Sequence, residues 1–291
     1  MHYRGDMMQN RRHKSDGFAF LDVPLSDAFP VIYFHHEQKY MDRRSMHTHH
    51  SFELGLCVEG GGLFFADSRA ESFQEGDVSF IFPDQPHIAQ SPDEVPSHWY
   101  FITADIDRLL IDEPLLMGEL MLSKGRLPYI LRPGQDGDIA PLMRCLLHEL
   151  EQSGPQMRLV VKVLFLSLTV KLLRLRTELE PQTLPADGCA AVSTALNYIS
   201  VHYRQETTIP QLASLCHLSE SHFRTLFKTA TGLSPSRYLA LIRMKMAKTL
   251  LKTTSLSVTD VCDSVGYGSL SAFNRAFREQ FGLSPAAYRK K

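Results

Sequence analysis

The chain has 291 residues, 44% hydrophobic and 22% charged, which excludes a fibrous or low-complexity protein and is enough for two globular domains. Its five cysteines (Cys57, Cys145, Cys189, Cys216, Cys262) are scattered, odd in number and without C-x-x-C spacing, which argues for a reducing, cytoplasmic setting and against a disulfide or zinc framework. The net charge of −1 hides an asymmetry: from Ala191 onward 13 basic and 5 acidic residues give +8, leaving −9 on the rest, and a basic module on an acidic body is the footprint of a nucleic-acid binder.

Residues 1–17 are polar and lack the apolar core of a signal peptide, so they are expected to be disordered. From Phe18 to Ile106 short β-rich runs alternate with turns rich in Gly, Pro, Asp and Ser. The clearest runs are Val31–Phe34, Glu53–Val58, Gly62–Phe65, Val78–Phe82 and His98–Ile102. Many short strands at this spacing predict a small β-barrel or jelly roll over 18–135.

Helical periodicity follows over 136–180. Leu142, Leu146 and Leu150 are spaced by four, Gly154-Pro155 breaks the pattern, and Leu159, Val163, Leu166, Val170 and Leu173 form a second stripe. The stretch from Leu159 to Leu173 is too short, and too interrupted by Lys162 and Lys171, to span a membrane. Its apolar face is wide, so it is expected to serve as a dimerisation helix as well as to pack on the barrel. Residues 181–190, with Pro181, Pro185 and Gly188, read as a linker.

The segment 191–291 contains an internal repeat. Phe223-Arg224-Thr225-Leu226-Phe227 through Gly232-Leu233-Ser234-Pro235 matches Phe273-Asn274-Arg275-Ala276-Phe277 through Gly282-Leu283-Ser284-Pro285 at an offset of 50. Upstream the offset is 49, one residue having been added inside Gly266-Tyr267-Gly268. Each copy predicts a helix-turn-helix, over 208–231 and 257–281. Thr208-x-x-Gln211 has the form of a capping box, Ser219, Ser257 and Ser269 are helix caps, and Ser234-Pro235 and Ser284-Pro285 begin further helices. The aromatic residues at i and i+4 are expected to be core.

The outward residues of the two second helices are then the candidate DNA-reading set. In the first they are Glu220, Ser221, His222, Arg224, Thr225 and Lys228, with the cap Ser219; in the second Leu270, Ser271, Asn274, Arg275 and Arg278, with the cap Ser269. Arg forks to guanine and Asn to adenine, so Arg224, Asn274 and Arg275 are the candidate base readers. Lys228, Arg278 and the cap serines suit phosphate. A helix from Pro235 to about Lys252 would be roughly 27 Å long, a rigid spacer between two readers at successive major grooves.

Two resemblances complete the reading. His47-x-His49-x-x-x-Glu53-x6-Gly60, followed by Gly76-Asp77 and His87, resembles the two motifs of the cupin barrel, although Phe82 stands where a proline is usual and the glycine before the histidine is absent. In metal-binding cupins the positions matching His47, His49, Glu53 and His87 hold one metal. No metal or cofactor is expected here; the favoured reading is a polar, aromatic-walled interior for a small organic effector, lined by those four residues and Trp99. Trp99 and Tyr100 point to opposite faces, so only one can face in.

The C-terminal segment, with Arg243-Met244-x-x-Ala247-x-x-Leu250-Leu251, Val265-Gly266-Tyr267 and Phe273-x-x-x-Phe277-x-x-x-Phe281-Gly282-x-Ser284-Pro285-x-x-Tyr288, is similar to the DNA-binding module of the AraC/XylS family of transcriptional regulators. The resemblance implies a multidomain α+β protein: an N-terminal cupin-like β-barrel with two following helices, then an all-α domain of two helix-turn-helix units. It further implies a homodimeric regulator, not an enzyme, with promoter DNA and a small-molecule effector (a sugar among the classes it suggests) as partners, and RNA polymerase where it activates. The rival readings are a metal-dependent cupin enzyme carrying a DNA-binding domain, and a ligand-independent architectural protein.

Overall fold

A computed structural model describes residues 18–38, 46–92, 96–134, 138–178 and 189–290. The expected disordered segment 1–17 and the linker up to residue 188 lie outside these residues.

The N-terminal part is built from two five-stranded sheets. The strands are β1 (Ala19–Phe20), β2 (Val31–Gln38), β3 (His47–Thr48), β4 (Phe52–Glu59), β5 (Gly61–Ala66), β6 (Arg69–Gln74), β7 (Val78–Ile81), β8 (His87–Gln90) and β9 (Ser97–Ala104). Helices α1 (Ile106–Leu109) and α2 (Pro114–Met121) and strand β10 (Ile130–Leu131) follow. One sheet has the order β1-β3-β8-β5-β6 and the other β10-β7-β4-β9-β2. The pairing is therefore that of a two-sheet sandwich.

Between the sheets lie Cys57, Phe64, Phe73, Ile81, Trp99, Phe101 and Tyr129. Trp99 is wholly buried and lies parallel to Phe101, 5.4 Å between centroids, while Tyr100 points outward against His35. The period of two thus resolves in favour of Trp99. Burial of the Cys57 thiol pushes it up to about 12.

Both outer faces of the sandwich are covered by helices. The second sheet presents Phe52, Leu54, Leu56, Phe80 and Ile102 to α1, α2, α3 (Ile139–Gln152) and α4 (Met157–Glu178). The first presents Met46, Leu63, Phe65 and Ile88 to the C-terminal helices. Strands β4 and β5 are consequently buried on both faces, and for that reason read as continuous apolar runs instead of alternating.

The α4 stripe differs from the expected one. Val161, Phe165, Leu168 and Leu172 face the core, while Leu159 is 61% and Val163 54% exposed. A helix apolar on most sides has a period but no readable phase, so the sequence could not choose the inner face.

The C-terminal part comprises α5 (Cys189–His202), α6 (Ile209–Leu215), α7 (Glu220–Thr231), α8 (Pro235–Thr253), α9 (Val258–Ser264), α10 (Leu270–Phe281) and α11 (Pro285–Arg289). Phe223, Phe227, Phe273 and Phe277 are fully buried, as their spacing predicts. Gly232 and Gly282 end α7 and α10 in the left-handed conformation.

Two capping details depart from expectation. Thr208 accepts from the Gln211 backbone, but the Gln211 amide donates to the Tyr198 hydroxyl at 2.8 Å, so this is a one-way cap. The reciprocal box occurs instead at Ser257 and Asp260. Ser234 makes no side-chain cap, whereas its counterpart Ser284 accepts from the Ala287 N–H.

Candidate functional site

Helices α7 and α10, which carry the candidate DNA-reading residues, present their polar faces to solvent. Ser219 caps α7 and Ser269 caps α10, each hydroxyl accepting from a backbone N–H three residues on. Glu220, Ser221, His222, Arg224, Thr225 and Lys228 are all exposed on α7. On α10, Leu270, Ser271, Arg275 and Arg278 are exposed and Asn274 is half-buried. Ser271, Asn274, Arg275, Arg278 and Glu279 line one shallow groove.

The candidate base readers differ in their surroundings. Arg224 Nη2 lies 3.7 Å from Glu220 Oε2 on the same helix face, an exposed pair that partly neutralises it. Helix α8, with 19 residues, is about 28 Å long and links the first helix-turn-helix unit to the second.

Not all the basic residues of this module face outward. Arg243 donates to the carbonyls of Tyr203 (2.7 Å) and Gln205 (2.9 Å) and lies over the Tyr267 ring. Lys248 lies over the rings of Phe281 and Tyr288, and Lys252 over Tyr288. Lys245 is turned toward the sandwich, donating to the Ala70 carbonyl; burial lowers its ammonium. These four contribute field but are occupied in packing.

The second site lies inside the sandwich. His47 on β3 pairs in register with His87 on β8, and their rings are 4.3 Å apart. The His49 ring is 4.9 Å from that of His87 and 6.1 Å from that of His47. Glu53 on β4 completes the group from the opposite sheet: Oε2 lies 3.3 Å from His49 Nε2 and Oε1 3.4 Å from His87 Nε2. The four residues far apart in sequence are thus brought to one point. Gly60 closes the motif at φ +84°, where a Cβ would lie 2.4 Å from the Pro96 carbonyl oxygen, so the β4–β5 turn requires glycine.

The histidine orientations are set from behind. His49 Nδ1 is 2.9 Å from the Ser51 carbonyl and His87 Nδ1 2.8 Å from the Gln85 carbonyl. A carbonyl only accepts, so both Nδ1 atoms carry the proton and both Nε2 atoms turn toward Glu53. Those two Nε2 atoms are buried and make no hydrogen bond. Burial works against charge on His49, but the Glu53 carboxylate outweighs it and raises His49 above the ordinary imidazole range. Burial likewise favours neutral Glu53, yet His49 and His87 hold it far below the usual carboxylate range. Three imidazoles with ligand atoms within 4.8 Å of one another and an adjoining carboxylate make a donor set that fits a transition-metal ion.

Trp99 is not in this group. Phe64 stands between them, its centroid 6.2 Å from both Trp99 and His87. The interior thus has a polar end at the histidines and an aromatic end at Trp99, Phe73 and Phe101.

Sequence reasoning missed the seam between the sandwich and the C-terminal helices. The Met46 N–H donates to Asn197 Oδ1 on α5 at 2.9 Å, and Thr249 Oγ1 on α8 donates to the Gly62 carbonyl at 3.4 Å. Its only legible signal was polar Thr249 among apolar α8 residues. Among the described residues no helix is long and apolar enough to cross a membrane.

Comparison with known proteins agrees with both halves. The family model of the AraC-like ligand binding domain matches residues 29–169, and that of a helix-turn-helix domain matches residues 212–291. An uncharacterized HTH-type transcriptional regulator of Haemophilus influenzae is 29% identical over 258 residues, covering 83% of this chain and 85% of its own. The raffinose operon transcriptional regulatory protein RafR of Pediococcus pentosaceus is 28% identical over 244 residues, covering 82% and 85%. The HTH-type transcriptional activator RhaS of Citrobacter koseri is 26% identical over 256 residues, covering 83% and 86%. The chain belongs to the AraC/XylS family of transcriptional regulators, as a DNA-binding protein with a ligand-binding N-terminal domain.

Proposed function

We propose that this regulator reads one face of a promoter with α7 and α10 in successive major grooves, under the control of a small effector bound inside the sandwich. The observation that carries the reading is the pair of exposed polar helix faces, repeated at an offset of 50, with the 19-residue α8 between the two units. Arg224, Asn274 and Arg275 read bases; Ser219, Lys228, Ser269 and Arg278 hold phosphates; Glu220, Ser221, His222, Thr225, Leu270 and Ser271 complete the surface. Duplexes selected from a random pool should share two half-sites about one helical turn apart. A single half-site, or no enrichment, overturns the two-reader arrangement.

The effector reading rests on the buried polar centre of His47, His49, Glu53 and His87 beside an aromatic wall ending at Trp99. A sugar suits that chemistry, and one relative is named for a raffinose operon. A saturable thermal shift with one member of a sugar panel supports it; no shift with any removes sugars from the reading. The protein acts as a regulator in the cytoplasm, not as an enzyme, and engages RNA polymerase where it activates.

The segments divide as 18–135 effector domain, 136–180 dimerisation helices, 181–190 linker and 191–291 DNA-binding domain. Dimerisation is supported by the exposed Leu159 and Val163 on α4. The double variant Leu159→Asp/Val163→Asp should sediment as a monomer; an unchanged sedimentation coefficient removes α4 from the interface.

A further inference from the structure

We propose that Arg243 is a positioning residue that fixes α10 relative to α7, and so sets the spacing at which the two half-sites are read. The inference rests on the reading of α7 and α10 as partners on one duplex.

Arg243 stands near the middle of α8, where three parts of the DNA-binding module meet. Its Nε donates to the Tyr203 carbonyl at 2.7 Å and its Nη2 to the Gln205 carbonyl at 2.9 Å. Both carbonyls lie just past the end of α5, where backbone oxygens lack partners within the helix and the dipole favours a cation. Helix α5 packs against α6 and α7, so this end belongs with the first unit. The same guanidinium lies over the ring of Tyr267, 5.9 Å from its centroid, in the turn of the second unit. Tyr267 in turn meets Phe273 of α10 edge to face, 5.6 Å between centroids. One side chain thus connects the scaffold of α7 to α10.

Backbone holds the second turn at the same place. Arg204 Nε donates to the Ser264 carbonyl at 2.5 Å, and the Arg204 carbonyl oxygen occupies the space beside Gly266 where a Cβ would stand. Arg243 closes this contact from the α8 side. A guanidinium offers several N–H groups in one rigid plane and can lay its face on a ring; an ammonium, a point charge on a flexible stem, does not combine the two.

The lever arm shows why a second connection matters. Through α8 alone, the two units would be joined by a rod with short connections at its ends, 232–234 and 254–257. A rotation of about 10° at one end of a rod about 28 Å long moves the other end by about 5 Å. One base-pair step is roughly 3.4 Å. Reading two half-sites at one spacing therefore requires a restraint between the units besides α8, and Arg243 with Tyr267 supplies it.

The full chain and its variants are tested by duplex selection from a random pool, scoring the distance between half-sites. The parent should enrich one spacing. Arg243→Met, which keeps the stem but loses the fork and the charge, should still enrich both half-sites, with spacings spread by at least one base pair in each direction and single half-site affinity within twofold of the parent. Arg243→Lys should fall between the two. Tyr267→Leu should spread the spacing as Arg243→Met does, and Tyr267→Phe, which keeps the ring, should not; these two carry the test if Arg243→Met fails to fold. A lower Tm with the parental spacing retained in Arg243→Lys and Tyr267→Leu would make the role merely structural and overturn the proposal. A readout without DNA separates this from the promoter reading: in Arg243→Lys the Gly266 and Tyr267 amides should exchange at least tenfold faster, with those of α7 at parental rates. Unchanged exchange overturns the joint, whereas a parent that enriches no paired half-sites, with the exchange altered as expected, overturns the promoter reading and with it the spacing role while leaving the joint supported.

Discussion

The two helix-turn-helix units share a text and a left-handed turn, but not the residue at that turn. In the second, Gly266 sits at φ +79°, and a Cβ there would lie 2.2 Å from the Arg204 carbonyl oxygen. The turn is wedged against the end of α5, where Arg204 also donates to the Ser264 carbonyl and Arg243 lies over Tyr267. In the first unit the matching residue is His217, at φ +55° with its side chain exposed. The left-handed turn is common to both; the absence of a Cβ is required only where backbone crowds it. The lesson is that a missing glycine need not mean a missing turn, only a less crowded one.

The sharpest way to break this comparison is at that pair. Gly266→Ala should destabilise the protein by more than about 2 kcal/mol in denaturant unfolding, because left-handed strain and a backbone clash add. His217→Gly should stay within about 1 kcal/mol of the parent, relief of strain offsetting unfolded-state entropy. Equal losses would show that the wedge at Arg204 is unimportant.

The readers come next. Arg275→Ala should lose about 1–3 kcal/mol on a selected duplex and relax preference at one base pair. Arg224→Ala should lose less, since Glu220 already engages it, and Lys228→Ala should weaken specific and random DNA alike. Binding assays on both duplexes decide; identical losses for the two arginines would erase the asymmetry between the units.

The caps give a smaller contrast. Ser257→Ala removes one side of a reciprocal box and should cost about 1–2 kcal/mol, whereas Thr208→Ala removes a one-way cap and should cost about 0.5–1 kcal/mol. The smallest effect is expected from Glu220→Gln, which frees Arg224. DNA affinity should rise by a few tenths of a kcal/mol at low salt and return to the parental value as salt screens the pair. A fall in affinity would mean Glu220 itself contacts DNA.

Legibility followed how local the signal was. Helices α7 and α10, their caps and their buried phenylalanines were readable, because capping and a period of 3.6 act within a dozen residues. The motif residues His47, His49, Glu53 and His87 were readable as a group from the cupin resemblance, but not the clamps at Ser51 and Gln85 or the screening of Trp99 by Phe64. Strand β3 is two residues long and β8 four, too short to carry a pattern. Helices α1 and α2 were not anticipated either.

By itself the sequence determined the two-part organisation, the repeat, the polar faces of α7 and α10 and the charge split between the halves. All of these are set by residue type and short-range periodicity. Only the tertiary structure decided which way Trp99 faces and which side of α4 is inside. It also brought His47, His49 and His87 together around Glu53 and laid Met46 and Ile88 against the DNA-binding helices. These depend on contacts between residues tens to hundreds of positions apart, and a period alone has no phase until a second surface supplies one.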